Sequence, residues 1–181
     1  MLQRLLEKLY YEIDADGKLV EDENGNKEHS IFIKLPLDEP YFEINANTRA
    51  ITIPANFKKN GIAVQGDDLA ETVYFMIDRF VDYVDLNNTE IYIEWETPKD
   101  KEGKVTKHFS RNYGKIIDDK YNPGKLIFGW AISNVLTRAP GTLKFAVRFI
   151  LRDNTSNEII YSFNTLTASA NIQATLSADL A

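Results

Sequence analysis

Carboxylates are the residues whose spacing first suggests chemistry in this 181-residue chain. Asp14-Ala15-Asp16-Gly17 and Asp22-Glu23-Asn24-Gly25 carry the oxygen donors and glycines of a calcium-binding turn. An EF-hand loop, however, needs donors at its first, third and fifth positions, glycine at the sixth and an acid at the twelfth. Counting from Asp14, the sixth and twelfth residues are Leu19 and Gly25; counting from Asp22, they are Lys27 and Ile33. The mismatch leaves solvated turns. Glu94 and Glu96 have the composition of a glycosidase pair, but such carboxyls face each other across a cleft at about 5 to 9 Å. Residues two apart on a strand share one face, so alternation alone explains them. His29 and His108 are the only histidines, and neither HxH nor HxxxH spacing occurs. Ser110, Ser133, Ser156 and Ser162 lack a G-x-S-x-G context, and the glycines form no phosphate-binding loop. The residues therefore point to no catalytic centre, no metal and no cofactor, and the expectation is a binding protein with no enzymatic turnover.

Composition narrows the partners. There is no cysteine, which removes thiol catalysis, iron-sulfur clusters, thiolate zinc and disulfides. A formal charge of -6 with bases dispersed among acids argues against nucleic acid, since phosphate neutralisation needs clustered Lys and Arg. No run is long and apolar enough to span a bilayer, and Met1 to Leu9 mixes charges into its apolar residues without a cleavage site, so neither a membrane nor a signal peptide is expected.

The elements that would position a binding surface read mostly as strands. Leu126, Phe128 and Trp130 alternate with Ile127, Gly129 and Ala131, and Leu143, Phe145, Val147, Phe149 and Leu151 repeat the period of two. These read as two strands of one sheet with one buried face, joined by the Ala139-Pro140-Gly141 turn. Glu90–Glu96 is a half-buried strand, with Ile91, Ile93 and Trp95 inward and Tyr92, Glu94 and Glu96 outward. Val73, Phe75 and Ile77 oppose Tyr74 and Met76, and apolar residues on both sides predict an interior strand or one covered by a neighbour. Asp78 to Leu86 follows as a connection with aromatic anchors. Ile31–Leu35, Tyr41–Ile44 and Ala50–Ile53 read as short strands near Pro36, Pro40 and Pro54. Val105–Asn112 and Gly114–Asp118 are weaker strands after the charged loop Pro98–Lys104, and Ile159, Tyr161 and Phe163 alternate once more.

The termini differ from the middle. Leu2, Leu5, Leu6 and Leu9 fall at helical spacing, giving a short amphipathic helix that needs a partner surface to persist. Thr165 to Ala181 is built of small polar residues, which predicts a strand end and an extended tail. The chain as a whole reads as all-β: an antiparallel immunoglobulin-like β-sandwich of eight or nine strands, with a helix and polar hairpin or arm over 1–30, the sandwich over 31–172 and a tail over 173–181.

Four stretches carry a resemblance. Val64-Gln65-Gly66-Asp67-Asp68-Leu69-Ala70-Glu71-Thr72-Val73-Tyr74-Phe75, Val84-Asp85-Leu86 before a strand ending in Glu96-Thr97-Pro98, Phe128-Gly129-Trp130-Ala131-Ile132-Ser133, and Pro140-Gly141-Thr142-Leu143-Lys144-Phe145 resemble the N-terminal domain of phage baseplate upper proteins. They are similar also to related small virion proteins of tailed phages that infect Gram-positive and gut bacteria. The resemblance spans roughly Ile51 to Ile172 and implies an immunoglobulin-like sandwich that docks between virion parts. Baseplate upper proteins usually continue into a helical or receptor-binding portion, whereas this sequence runs to Ala181; the expectation is therefore a subunit held on a capsid or another virion platform. Trp95 and Trp130 lie on the apolar faces of their strands and belong to the core, which leaves Tyr83 and Tyr92 as the aromatic interface candidates beside Leu2, Leu5, Leu6 and Leu9.

Three functions follow from these readings. The leading expectation is a tailed-phage structural protein located in the virion and made in the host cytoplasm, a capsid-associated decoration or head-fibre-base subunit. It would be a homo-oligomer in a symmetric assembly, docking to the major capsid protein or to baseplate and tail proteins. The alternative is a baseplate or tail-tip adhesion module in which exposed aromatics and loop acids such as Asp100 and Glu102 recognise a cell-wall carbohydrate. A third is a hydrolase whose site is assembled from distant acids.

Overall fold

A computed structural model of the chain describes residues 41–112, 115–117 and 122–176. The expected N-terminal helix and arm, the strand expected at Ile31–Leu35, and the last five residues of the tail lie outside the described residues. Among those described, the elements run β1 (Phe42–Ile44), β2 (Ile51–Thr52), α1 (Ala55–Asn60), β3 (Ala63–Val64), β4 (Thr72–Asp78), β5 (Phe80–Val81), β6 (Val84–Asp85), a 3-10 turn (Leu86–Asn88) and β7 (Glu90–Glu96). They continue with β8 (Lys107–Asn112), β9 (Lys115–Ile117), β10 (Lys125–Ala131), α2 (Asn134–Thr137), β11 (Gly141–Arg152), β12 (Ile159–Asn164) and β13 (Ala168–Gln173). No helix among the described residues is long and apolar enough to cross a membrane.

The strands form a sandwich, as the alternation predicts. One sheet has the order β2-β1-β4-β10-β9; the other runs β3-β13-β11-β7-β8, and β12 pairs with the far half of β11. A buried aromatic core joins them. Within the first sheet Phe75 stacks on Phe128 with centroids 5.1 Å apart. From the second sheet, Phe145 meets Phe42 and Phe75 at 6.2 Å and Trp130 at 5.3 Å, and Phe149 meets Phe128 edge-on at 5.7 Å. Each of these rings is fully or almost fully buried, and each contributes about 1.5 to 3 kcal/mol by leaving water.

Several expectations are corrected. The strands Leu126–Ala131 and Leu143–Leu151 do not belong to one sheet: β10 pairs with β4 and β9, whereas β11 pairs with β7, β12 and β13. Residues 132–140 form no tight hairpin, because Ile132 and Leu136 are buried and α2 carries the chain over the end of the sandwich. The β10 strand is also buried on both faces, with Ile127 as inaccessible as Leu126 and Phe128. The pairing is mixed rather than strictly antiparallel: β1 runs parallel to β4 and β3 parallel to β13. A parallel pair needs a crossover connection, and residues 45–71 supply one for β1 and β4 while leaving β3 in the opposite sheet. Thirteen strands replace the expected eight or nine among the described residues, because several two-residue strands carry no periodic signal.

The strand within Thr165 to Ala181 is more than the strand end that the composition suggests. Ala168–Gln173 is an interior strand with Ala170 and Ile172 buried between β11 and β3. Small residues conceal its period of two and allow close approach at Gly61, which ends α1 with φ +79°. A Cβ there would stand 2.7 Å from the Asn171 carbonyl oxygen, the same oxygen that accepts the Ile62 N–H at 2.8 Å. The Gln65-Gly66-Asp67-Asp68 turn that carries part of the resemblance has a structural task. The Asp68 carboxylate accepts the Asn134 N–H at 3.0 Å and the Asp67 carbonyl accepts the Thr137 hydroxyl at 2.5 Å, holding α2 against the β3 end. The Asn112 side-chain amide donates to the Gly129 carbonyl and ties β8 to β10 across the two sheets.

Candidate functional site

The β5–β6 hairpin is the first candidate surface. Its tip is Asp82-Tyr83, with φ of 51° and 65°. Two successive positive φ values mark a type I′ geometry, which normally takes Asn-Gly or Asp-Gly because a Cβ is disfavoured there. A tyrosine in that position is strained, and its side chain is fully exposed. The hairpin beneath it is rigid. Arg79 forks onto Asp85 with bonds of 2.9 and 2.8 Å, and the same carboxylate accepts the Asn87 N–H at 3.0 Å. The Arg79 hydrogen bond holds the Asp85 carboxyl below the usual carboxylate range, against the opposing push of burial. Val81, directly before the tip, and Leu86, just after β6, are buried in the core, and the Arg79 guanidinium lies 5.1 Å from the centre of the exposed Phe80 ring. Tyr161 donates to the Asp82 carboxylate at 3.3 Å, which sets the tip beside the start of β12. There Ile159 and Ile160 are exposed, so the alternation that buries Phe163 runs off the edge of the core.

The outer face of the second sheet is the other candidate, and Tyr92 sits within it. Tyr92 is half-buried: Phe109 meets its ring edge-on at 5.3 Å, the Arg111 guanidinium lies 5.8 Å from its centre, and its hydroxyl donates to Glu90 at 3.0 Å. Burial, reinforced by that bond, pushes the phenol up. Burial also pushes the Glu90 carboxyl up, but the Tyr92 bond and the pairing with Arg152 and Arg111 outweigh it and leave the group below its ordinary range. Lys107 lowers Glu96 in the same sense. Glu94 pairs with Arg148 at 3.4 Å, and Glu96 with Lys107 at 3.2 Å and Lys144 at 3.7 Å. The two glutamates thus share one strand face, each with its own basic partner. Ala146 opens a shallow trough of about 570 Å³ between them, with Phe109, Lys144 and Thr167 on its banks.

Other candidates have mundane tasks. His108 rests against Phe109 at 4.9 Å, and its Nδ1 accepts the Phe109 N–H at 2.8 Å. Ser110 accepts the Trp95 indole N–H at 3.1 Å. Asp100 organises its own loop by accepting the N–H groups of Glu102 and Lys104, and Glu102 lies 3.8 Å from Lys104. Among the described residues no three His, Asp or Glu side chains stand close enough to hold a metal ion.

No protein-family model matches this chain, and no curated protein matches it.

Of the residues singled out from the sequence, Tyr83 is exposed at a hairpin tip and Tyr92 half-covered in a charged face, on separate surfaces. Leu2, Leu5, Leu6, Leu9 and His29 lie outside the described residues. Phe80 was not among the interface candidates and Ile159 was placed in one alternating set with Phe163, yet both are exposed, as is Ile160, because exposure depends on where strands leave the core. The sequence reading passed over the bases around Tyr92, whose cross-strand register was unknown. Asp-Tyr between Val81 and Val84 is not one of the pairs that announce a two-residue hairpin, so the tip left no clear sign in the sequence.

Proposed function

We propose that this chain is a structural subunit of a tailed-phage virion, an immunoglobulin-like sandwich that docks onto other virion proteins as a capsid-associated decoration or head-fibre-base subunit. The observation that carries the reading is the Asp82-Tyr83 tip. A strained backbone persists only where the surroundings over-determine it, and such strain gathers at binding and switch sites. Here the ion-paired, core-plugged hairpin holds a tyrosine wholly outside the fold. Tyrosine brings large contact area with a polar end at small entropic cost, which is the character of an interface anchor. Phe80 on the same hairpin is exposed too, as are Ile159 and Ile160 on the strand whose Tyr161 bonds Asp82 of the tip. Such a contact would be weak singly and multiplied by symmetry in a virion lattice.

The resemblance of Val64–Phe75, Phe128–Ser133 and Pro140–Phe145 to baseplate upper proteins supports the virion setting, and the hairpin supports the docking mode. Cryo-electron microscopy of the source particle tests both. Density placing Tyr83 against the major capsid protein is the expected result. Placement among tail-tip proteins would transfer the subunit to the baseplate, and a particle lacking the chain would overturn the proposal.

A further inference from the structure

The outer face of the second sheet has an order that its ion pairs alone do not require. Its acids, Glu90, Glu94 and Glu96, all stand on the central strand β7, and its bases stand on the flanking strands: Lys107 and Arg111 on β8, Lys144, Arg148 and Arg152 on β11. Five bases against three acids leave a positive surplus on this face of a chain whose formal charge is -6. Height reinforces the count. The Glu90 and Glu96 side chains are 27% and 26% exposed, while Lys107 and Lys144 reach 73% and 55%. Glu94, at 46%, stands about level with the arginines, so the outermost charge is basic at the Lys107–Lys144 end of the face, where Glu96 lies recessed between them.

We propose that this face is a second docking surface whose partner is an acidic protein surface. The proposal rests on the docking reading above and extends it to a different side of the fold. Three arginines, Tyr92 and Phe109 are residue types that dominate binding energy at protein interfaces. The arginines are held in place by Glu90 and Glu94, so little freedom remains to be lost when a carboxylate arrives. The trough over Ala146 is broad and shallow, a shape suited to a protein surface. Its half-exposed ring, Phe109, is flanked by His108 and Tyr92, which narrows the platform left for a sugar. Surplus charge at the rim acts mainly on encounter rate and selectivity, so the contact should be salt-sensitive.

The test measures binding of the full chain to immobilised polyglutamate, with polygalacturonate as a carboxylate-bearing carbohydrate and polyglutamine as a neutral control. The variants are Lys107→Gln with Lys144→Gln, both at well-exposed positions, and Phe109→Ser. The expected result is binding to polyglutamate that weakens with added salt and falls about tenfold in the lysine double variant. Tyr83→Ser should leave it unchanged. That control separates this surface from the hairpin, so either proposal can fail alone. Absence of polyglutamate binding at low salt, or binding indifferent to the face variants, would overturn the inference. Preference for polygalacturonate would assign the face to an acidic glycan instead. A melting transition shared with the parent chain verifies that each variant is folded.

Discussion

Tyr83→Gly should stabilise the protein relative to Tyr83→Ala, the reverse of what glycine does at ordinary positions. At φ 65°, a residue with a Cβ pays about 1 to 2 kcal/mol in steric strain that glycine avoids. Opposing this, glycine leaves the unfolded chain freer, at a cost of about 0.5 to 1 kcal/mol relative to alanine. The Tyr83 side chain is fully exposed, so truncation removes almost no packing in either variant. The difference is therefore between about 0 and 1.5 kcal/mol in favour of glycine, with a midpoint of about 0.75 kcal/mol that corresponds to roughly 1.5 to 3 °C in melting temperature for a chain of this size. Urea unfolding of the two variants with a shared m-value is the assay. The comparison cancels the loss of the tyrosine ring, which both variants share. If Tyr83→Gly proves less stable than Tyr83→Ala, the tip is not strained in solution and the argument for a held, outward-facing anchor fails.

Asp85→Asn should cost about 1 to 3 kcal/mol by weakening the fork from Arg79, measured by chemical denaturation. Asp85, Glu90 and Glu96 ionise more readily folded than unfolded, so their stabilisation is complete above the ordinary carboxylate range and is lost as pH falls through their lowered values. Thermal melts between pH 7 and pH 2 should thus show stability declining below about pH 4, with a shallower decline in Asp85→Asn. Phe145→Ala removes a fully buried ring that touches Phe42, Phe75 and Trp130, and should cost about 3 to 5 kcal/mol in equilibrium unfolding. Gly61→Ala forces a Cβ onto the Asn171 carbonyl at a positive φ, and should destabilise by more than about 1 kcal/mol while leaving the Tyr83 hairpin intact, as hydrogen exchange would report.

The legible parts of this fold were those with an uninterrupted period of two. Ile91, Ile93 and Trp95 face the core and Tyr92, Glu94 and Glu96 face outward, as their alternation requires. The two-sided apolar pattern of β4 likewise marks a strand covered on both faces, with Val73, Tyr74, Phe75 and Ile77 all buried. Illegible parts had short or muted patterns: β3 and β5 hold two residues each, and β13 hides its inward set among alanines. Tyr83 and Tyr92, singled out together as interface candidates, have different environments. One stands in solvent, whereas the other is bracketed by Arg111, Phe109 and Glu90.

Period and composition, read along the chain, sufficed for the all-β class, the inward faces of the long strands and the lack of any thiol chemistry, because each follows from side-chain type and the twofold repeat of a strand. Which strands pair, and which sheet each enters, was decided only by the tertiary structure. Pairing depends on register and on the path of connections such as 132–140 and 45–71, and neither leaves a mark in local alternation. The positive surplus around Tyr92 arises the same way: β7 carries the acids, and only folding brings the bases of β8 and β11 alongside it.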